Sequence, residues 1–267
     1  MCRQARRKPR RGMSLAELSL SLAILALVAT SIGTMAMTLQ TVTSYTRGQS
    51  NATQHGRVVL DRLDRTLQAA NVSESFPGFM VVSWTEGSGT FPDTLVIWKP
   101  SGNAADPTGL PRANELVMIR PDPSSPGSLI EITNRSEPAT TTYASSDLAN
   151  WRTLVTTLTS RSNAVKVELT GLLRTAATST SSNATRRGCV RFRYRAAPTD
   201  SELASYRAGT ASWTSLAWPQ DSSGKTAGMR SLGCFAELQL IPDAADDVAE
   251  DAVPFFGSTL LWKVVSR

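Results

Sequence analysis

The chain has 267 residues, 41% of them hydrophobic and 19% charged, with 17 Gly and 14 Pro; this balance excludes a disordered or low-complexity protein and leaves room for one substantial, turn-rich domain plus a further element. The formal charge of +6 would ordinarily point to nucleic acid, but Arg3, Arg6, Arg7, Lys8, Arg10 and Arg11 supply six of the 28 basic residues and the other 22 face 22 acids. No nucleic acid is therefore expected to bind directly, and the cluster in residues 1–12, set against an apolar run, reads as a signal that keeps this end on the cytoplasmic side of a membrane.

From Leu18 to Thr46 no side chain is charged, and residues 13–40 are long and apolar enough for a membrane-spanning helix, in contact with lipid. Gly33 and the hydroxyl residues Ser19, Ser21, Thr30, Ser31, Thr34 and Thr38 keep parts of that helix small, which suits packing against other membrane helices and equally suits a helix that touches only lipid. Glu17 breaks the pattern: a carboxylate at membrane depth costs several kcal/mol unless paired or interfacial, and the chain offers it no partner nearby except an amino terminus newly made at Met13.

The sequence Arg11-Gly12-Met13-Ser14-Leu15-Ala16-Glu17, after a basic leader and before about twenty apolar residues, resembles the processing site of type IV prepilins and type II secretion pseudopilins. The resemblance implies that a prepilin peptidase cuts between Gly12 and Met13 and methylates the new amine of Met13, and that Glu17, then the fifth residue of the mature chain, serves assembly with other pilin-like subunits on an inner-membrane platform. Met13 stands where the family usually has Phe; Thr34 stands where major pilins often have Pro, and the absence of that Pro points to a minor subunit or a straighter helix. A conventional signal peptide, with a small-residue site at Thr34-Met35-Ala36, is the competing reading of the same run.

Residues 41–75 are expected to carry the helix outward as a stalk. Val59, Leu63 and Leu67, with Leu60 and Ala70 beside them, form one apolar face, and Asp61 can pair with Arg57 and Arg65 at four-residue spacing. The run VLDRLDRTLQAA also resembles the corresponding helix of J-type minor pseudopilins and W-type minor pilins. His55, the single histidine, reads as a polar residue on this helix rather than a ligand or base.

Residues 76–267 read as a β-rich globular domain. Strand signals fall at 80–84, 94–98, 115–120, 128–133, 164–170, 190–195, 235–241 and 259–265, separated by Gly, Pro, Ser and Asp clusters. In Val190-Arg191-Phe192-Arg193-Tyr194-Arg195 the alternation predicts an antiparallel sheet with one wet face, its arginines on a solvated face or edge. Segments 136–147 and 174–186, rich in Ser, Thr and Ala, read as loops or linkers. The fold class expected is α+β, a long N-terminal transmembrane and stalk helix packed on an antiparallel β-sheet domain outside the cytoplasm, single-pass in the cytoplasmic (inner) membrane.

Of three cysteines, Cys2 would lie on the cytoplasmic side, which leaves Cys189 and Cys234 either as a disulfide, should their strands adjoin, or as two buried thiols. Asp243, Asp246, Asp247, Glu250 and Asp251 form an acidic cluster able in principle to hold Ca²⁺, although the spacing is not that of an EF-hand and a solvated loop or a short helix capped by Asp243 accounts for it as well. With one histidine, and no HExxH, P-loop or dinucleotide fingerprint, no catalytic residue and no cofactor is expected. A signal-anchored or secreted β-rich enzyme or carbohydrate-binding protein is the alternative from another class.

Overall fold

The computed structural model describes residues 13–73, 75–86, 89–100, 109–136, 142–178, 185–216, 227–242 and 252–266. The chain divides into two compact units, one ending at Arg47 and the other beginning at Gly48. Helix α1, Leu15–Gln68, contributes to both.

The first unit is a helix that exposes its large apolar side chains, from Leu15 and Leu18 through Met37 and Leu39 to Val42. It is the one helix among the described residues long and apolar enough to cross a membrane. Its hydroxyls do not spoil that surface, because each bonds a carbonyl one turn back: Ser21 to Glu17 (2.7 Å), Ser31 to Leu27 (2.8 Å) and Thr38 to Thr34 (2.9 Å). Such bonding satisfies polar groups within the helix, as a hydrocarbon environment requires.

In the second unit, α1 buries Ala52, Gly56, Val59, Leu63, Thr66 and Leu67, the face that the three- and four-residue spacing marks out. The helix ends at Gln68, seven residues short of the expected limit at 75. The backbone then enters the sheet directly, the Asn71 N–H donating to Trp98 O at 2.9 Å and the Trp98 N–H to Gly78 O at 2.8 Å.

Five strands, β1 (Phe79–Glu86), β2 (Gly89–Trp98), β3 (Leu116–Pro121), β4 (Leu129–Thr133) and β5 (Val165–Thr170), pair antiparallel in chain order. The alternation of side chains gives this sheet two apolar faces. Leu95, Ile97, Val117, Ile119 and Leu129 join α1 in the main core, whereas Val96, Trp98, Met118, Ile130 and Ile132 form a second core with Trp151, Val155 and Leu158 of helix α2 (Leu148–Ser160). Strands β1–β4 of this sheet are therefore covered on both faces. Helix α2 is the reason, and its start is set by Asp147, whose carboxylate accepts from the Asn150 N–H.

After β5, β6 (Thr175–Ala177) and β7 (Arg186–Gly188) pair as a short ribbon, so the ends of the segment read as a loop, 174–186, are strands. The chain continues through β8 (Val190–Ala197), helix α3 (Asp200–Arg207), β9 (Ala227–Leu240) and β10 (Val253–Ser266). The last three strands form an antiparallel sheet in the order β10-β9-β8, with β9 and β10 paired from Leu240↔Val253 to Ala227↔Ser266. Its inner face, including Val190, Phe192, Leu232, Cys234 and Leu238, closes the main core. Here the alternation read from Val190–Arg195 holds: Arg191, Arg193 and Arg195 are exposed.

Candidate functional site

Ser14 and Glu17 meet at the first turn of α1. The Ser14 N–H and hydroxyl both donate to Glu17 Oε2, at 2.9 and 3.2 Å, while the Glu17 N–H donates to Ser14 Oγ at 3.3 Å. This is a reciprocal capping box, and Ser-x-x-Glu before an apolar run is its sequence signature. The expectation that Glu17 lacks a partner nearby is thus corrected: Ser14 supplies one without any new amino terminus. Both bonds fall on Oε2, so Oε1 has no protein partner among the described residues. Met13 is exposed beside it, and Gly12 lies outside the described residues. A cationic group arriving from another chain would find Oε1 free to accept.

Gly33 gives the same helix a bare point, since nothing stands within 4 Å of where its Cβ would be. Along the same unit every large side chain from Leu15 to Val42 is at least half exposed, between 50 and 86%.

The two cysteines named from sequence are free thiols. Cys189, between β7 and β8, does lie beside β9, but the register keeps the two thiols apart: Cys234 pairs with Tyr194, whereas Cys189 O accepts from the Gln239 N–H at 3.0 Å. Five residues of β9 separate the two positions, about 17 Å at strand rise, far beyond disulfide reach. Burial raises both thiols, Cys234 to about 12.

Asp243, Asp246, Asp247, Glu250 and Asp251 lie outside the described residues. Among the described residues no group of three or more His, Cys, Asp and Glu could hold a metal ion. His55 is half-buried on α1.

Sequence reading missed a charged cluster at one end of the five-stranded sheet. Arg187 of β7 reaches Glu86 Oε2 at 2.8 Å and Asp93 Oδ2 at 2.7 Å, with its guanidinium 4.9 Å from the Phe91 ring centre. Asp93 is buried and also accepts from the Thr94 hydroxyl at 3.0 Å. Desolvation raises the Asp93 carboxyl and lowers the Arg120 guanidinium, which lies 5.1 Å from the Trp84 ring centre. The hydrogen bond from Arg187 lowers Glu86. No spacing rule connects residues 86, 93, 120 and 187, so only the fold could reveal the group. Its charges balance within the protein, and its evident work is to fasten the β6–β7 ribbon to β1 and β2.

No family model matches the chain, and no curated protein or solved structure is significantly similar to it.

Proposed function

We propose that the chain is a minor pilin-like subunit, a pseudopilin, that assembles into or initiates a type II secretion pseudopilus or a type IV pilus. The observation that carries this reading is Glu17: one carboxylate, on the first turn of an exposed apolar helix, four residues beyond a Gly12–Met13 bond preceded by a basic leader. On this reading a prepilin peptidase removes residues 1–12, and the helix anchors the protein once in the cytoplasmic membrane. The β domain then lies on the far side, where the other pilin-like subunits and the assembly platform meet it. No catalytic residue is assigned, since an assembly subunit works by binding.

The geometry at Ser14 sharpens the test. Glu17→Leu removes both the charge and the capping box, whereas Glu17→Gln removes the charge and retains a side chain that can cap. Breaking a desolvated ion pair by removing one partner costs several kcal/mol. Glu17→Gln should therefore insert in the membrane normally, keep the β domain folded, and copurify with other pilin-like subunits at about a tenth of the wild-type yield or less. Copurification equal to wild type would reduce Glu17 to a helix cap.

A further inference from the structure

We propose that the outer face of the β8–β9–β10 sheet is a docking surface for a partner subunit that presents carboxylates beside an apolar strip. The proposal rests on the assembly reading and adds where the contact is made and by what chemistry.

Strands β1–β4 of the five-stranded sheet are covered on both faces, but the three-stranded sheet has only its inner face covered among the described residues. On the outer face, register places Phe235, Glu237 and Gly233 of β9 between Arg193, Arg191 and Arg195 of β8 on one side and Ser258, Phe256 and Leu260 of β10 on the other. Phe256 is 70% exposed, Leu260 53%, Trp262 52% and Phe235 39%. Together these four side chains leave about 400 Å² of apolar surface open, the size of patch that on monomers is often functional. A cavity of about 600 Å³ lies on this face, with Arg191, Arg193, Arg195, Phe235 and Phe256 in its wall.

Charge identifies the occupant. Arg191 has a carboxylate at hand, Glu237 at 3.7 Å, but no described carboxylate bridges Arg193 or Arg195. Alternate residues of one strand stand about 6.8 Å apart, so the arginines make a row of donors along one side of the aromatic strip. Arg, Trp and Phe are enriched at protein interfaces, and Arg and Trp are among the residues that carry most of the binding energy there. A polypeptide is favoured over nucleic acid because Glu237 sits inside the face, next to Phe256 and Arg191, where a phosphate backbone would be repelled. Beyond residue 12 the chain is also formally neutral and lacks the long-range field that nucleic-acid binding draws on.

The test uses the full chain in its native membrane, with a benzoylphenylalanine photo-crosslinker at Phe256 and, as a control, at Val165 on β5. The expected result is one discrete adduct with a different protein from the Phe256 position alone. Its yield should fall about tenfold or more in Arg193→Glu/Arg195→Glu and recover in Arg193→Lys/Arg195→Lys. A yield indifferent to charge reversal, an adduct only with a second copy of this chain, a nuclease-sensitive adduct, or equal labelling from Val165 would each overturn the proposal. Leader processing is read on the same samples. A charge-dependent adduct on a chain never cut after Gly12 upholds the face and sinks the pilin reading, while a processed chain with no such adduct sinks the face alone.

Discussion

Arg62 of α1 holds Glu131 of β4 through two parallel hydrogen bonds, Nε to Oε2 and Nη2 to Oε1, each 2.8 Å long. The Arg62 side chain is 48% exposed and that of Glu131 only 8%, so the sheet contributes a carboxylate out of water and the helix brings the cation to it. Glu131 raises the Arg62 guanidinium above its ordinary value, through hydrogen bonding first and charge second. Replacing Arg62 with Ala leaves the acid buried and unpaired, and should cost about 2 kcal/mol, reduced from the fully buried case by the exposure of Arg62. Arg62→Met with Glu131→Met should recover most of it. Urea unfolding of the detergent-solubilised chain, followed by tryptophan fluorescence, measures both; a loss below about 0.5 kcal/mol in Arg62→Ala would show the pair to be decorative.

The helix also meets β10 through glycines. A Cβ on Gly56 would stand 2.6 Å from the Phe255 ring, and one on Gly257 would stand 2.7 Å from Leu60 Cδ2. An alanine in a helix interior normally gains about 1 kcal/mol over glycine. Here the collision should reverse the sign, so that Gly56→Ala destabilises by about 1–2 kcal/mol. Phe255→Leu, costly by itself, should restore the alanine's benefit in the double variant. Thermal melts of the four species give the coupling, and strict additivity would contradict the close approach.

Much of this architecture could be read in the chain, and the gaps have physical causes. The stalk face at Val59, Leu63 and Leu67 and the alternation from Val190 to Arg195 are local periodicities, visible without knowing what covers them. Helix α2 lies in a stretch to which the sequence reading assigns no element, although Trp151, Val155 and Leu158 recur at helical spacing after a capping Asp147; its threonines lower helix propensity and weaken the local signal. With α2 in place, the continuous apolar runs of β2 and β3 are buried on both faces. The capping role of Ser14 is legible as Ser-x-x-Glu before an apolar run, a pattern that needs no membrane to be recognised. Arg62–Glu131 and the Arg187 cluster join residues far apart in sequence, which only strand order brings together.

Buried thiol and phenol groups set the alkaline limit. Cys234 and Tyr194 are each pushed up to about 12, both chiefly by burial. In the unfolded chain they ionise near 8.5 and 10. Their contribution to stability is therefore fully present below those values and is lost as pH rises toward the folded values, because the unfolded state then binds fewer protons. The midpoint of thermal unfolding should fall steadily above about pH 9. Cys234→Ala should flatten the fall between pH 9 and 10; an unchanged slope would contradict burial as the cause. In urea without reductant, both Cys189 and Cys234 should react with a thiol reagent, and their resistance would reveal the disulfide that the register forbids.

Arg187 should matter more than its place on a three-residue strand suggests. Its side chain is 22% exposed and that of Asp93 5%, so Arg187→Ala strands a buried carboxylate and should destabilise by about 3 kcal/mol. Arg187→Lys keeps the charge but cannot span Glu86 and Asp93 with one planar fork, and should recover at most half. Equal stability of the Lys variant and the wild type by urea unfolding would show that charge alone suffices.

The mass of the mature amino-terminal peptide, taken from protein extracted from the membrane of cells with an active prepilin peptidase, tests the central claim most directly. The account predicts a chain that begins at Met13 with a methylated amine, and a full-length chain when Gly12→Val blocks the cut. An intact leader in the wild type, a cut beside Ala36, or normal processing of Gly12→Val would contradict it.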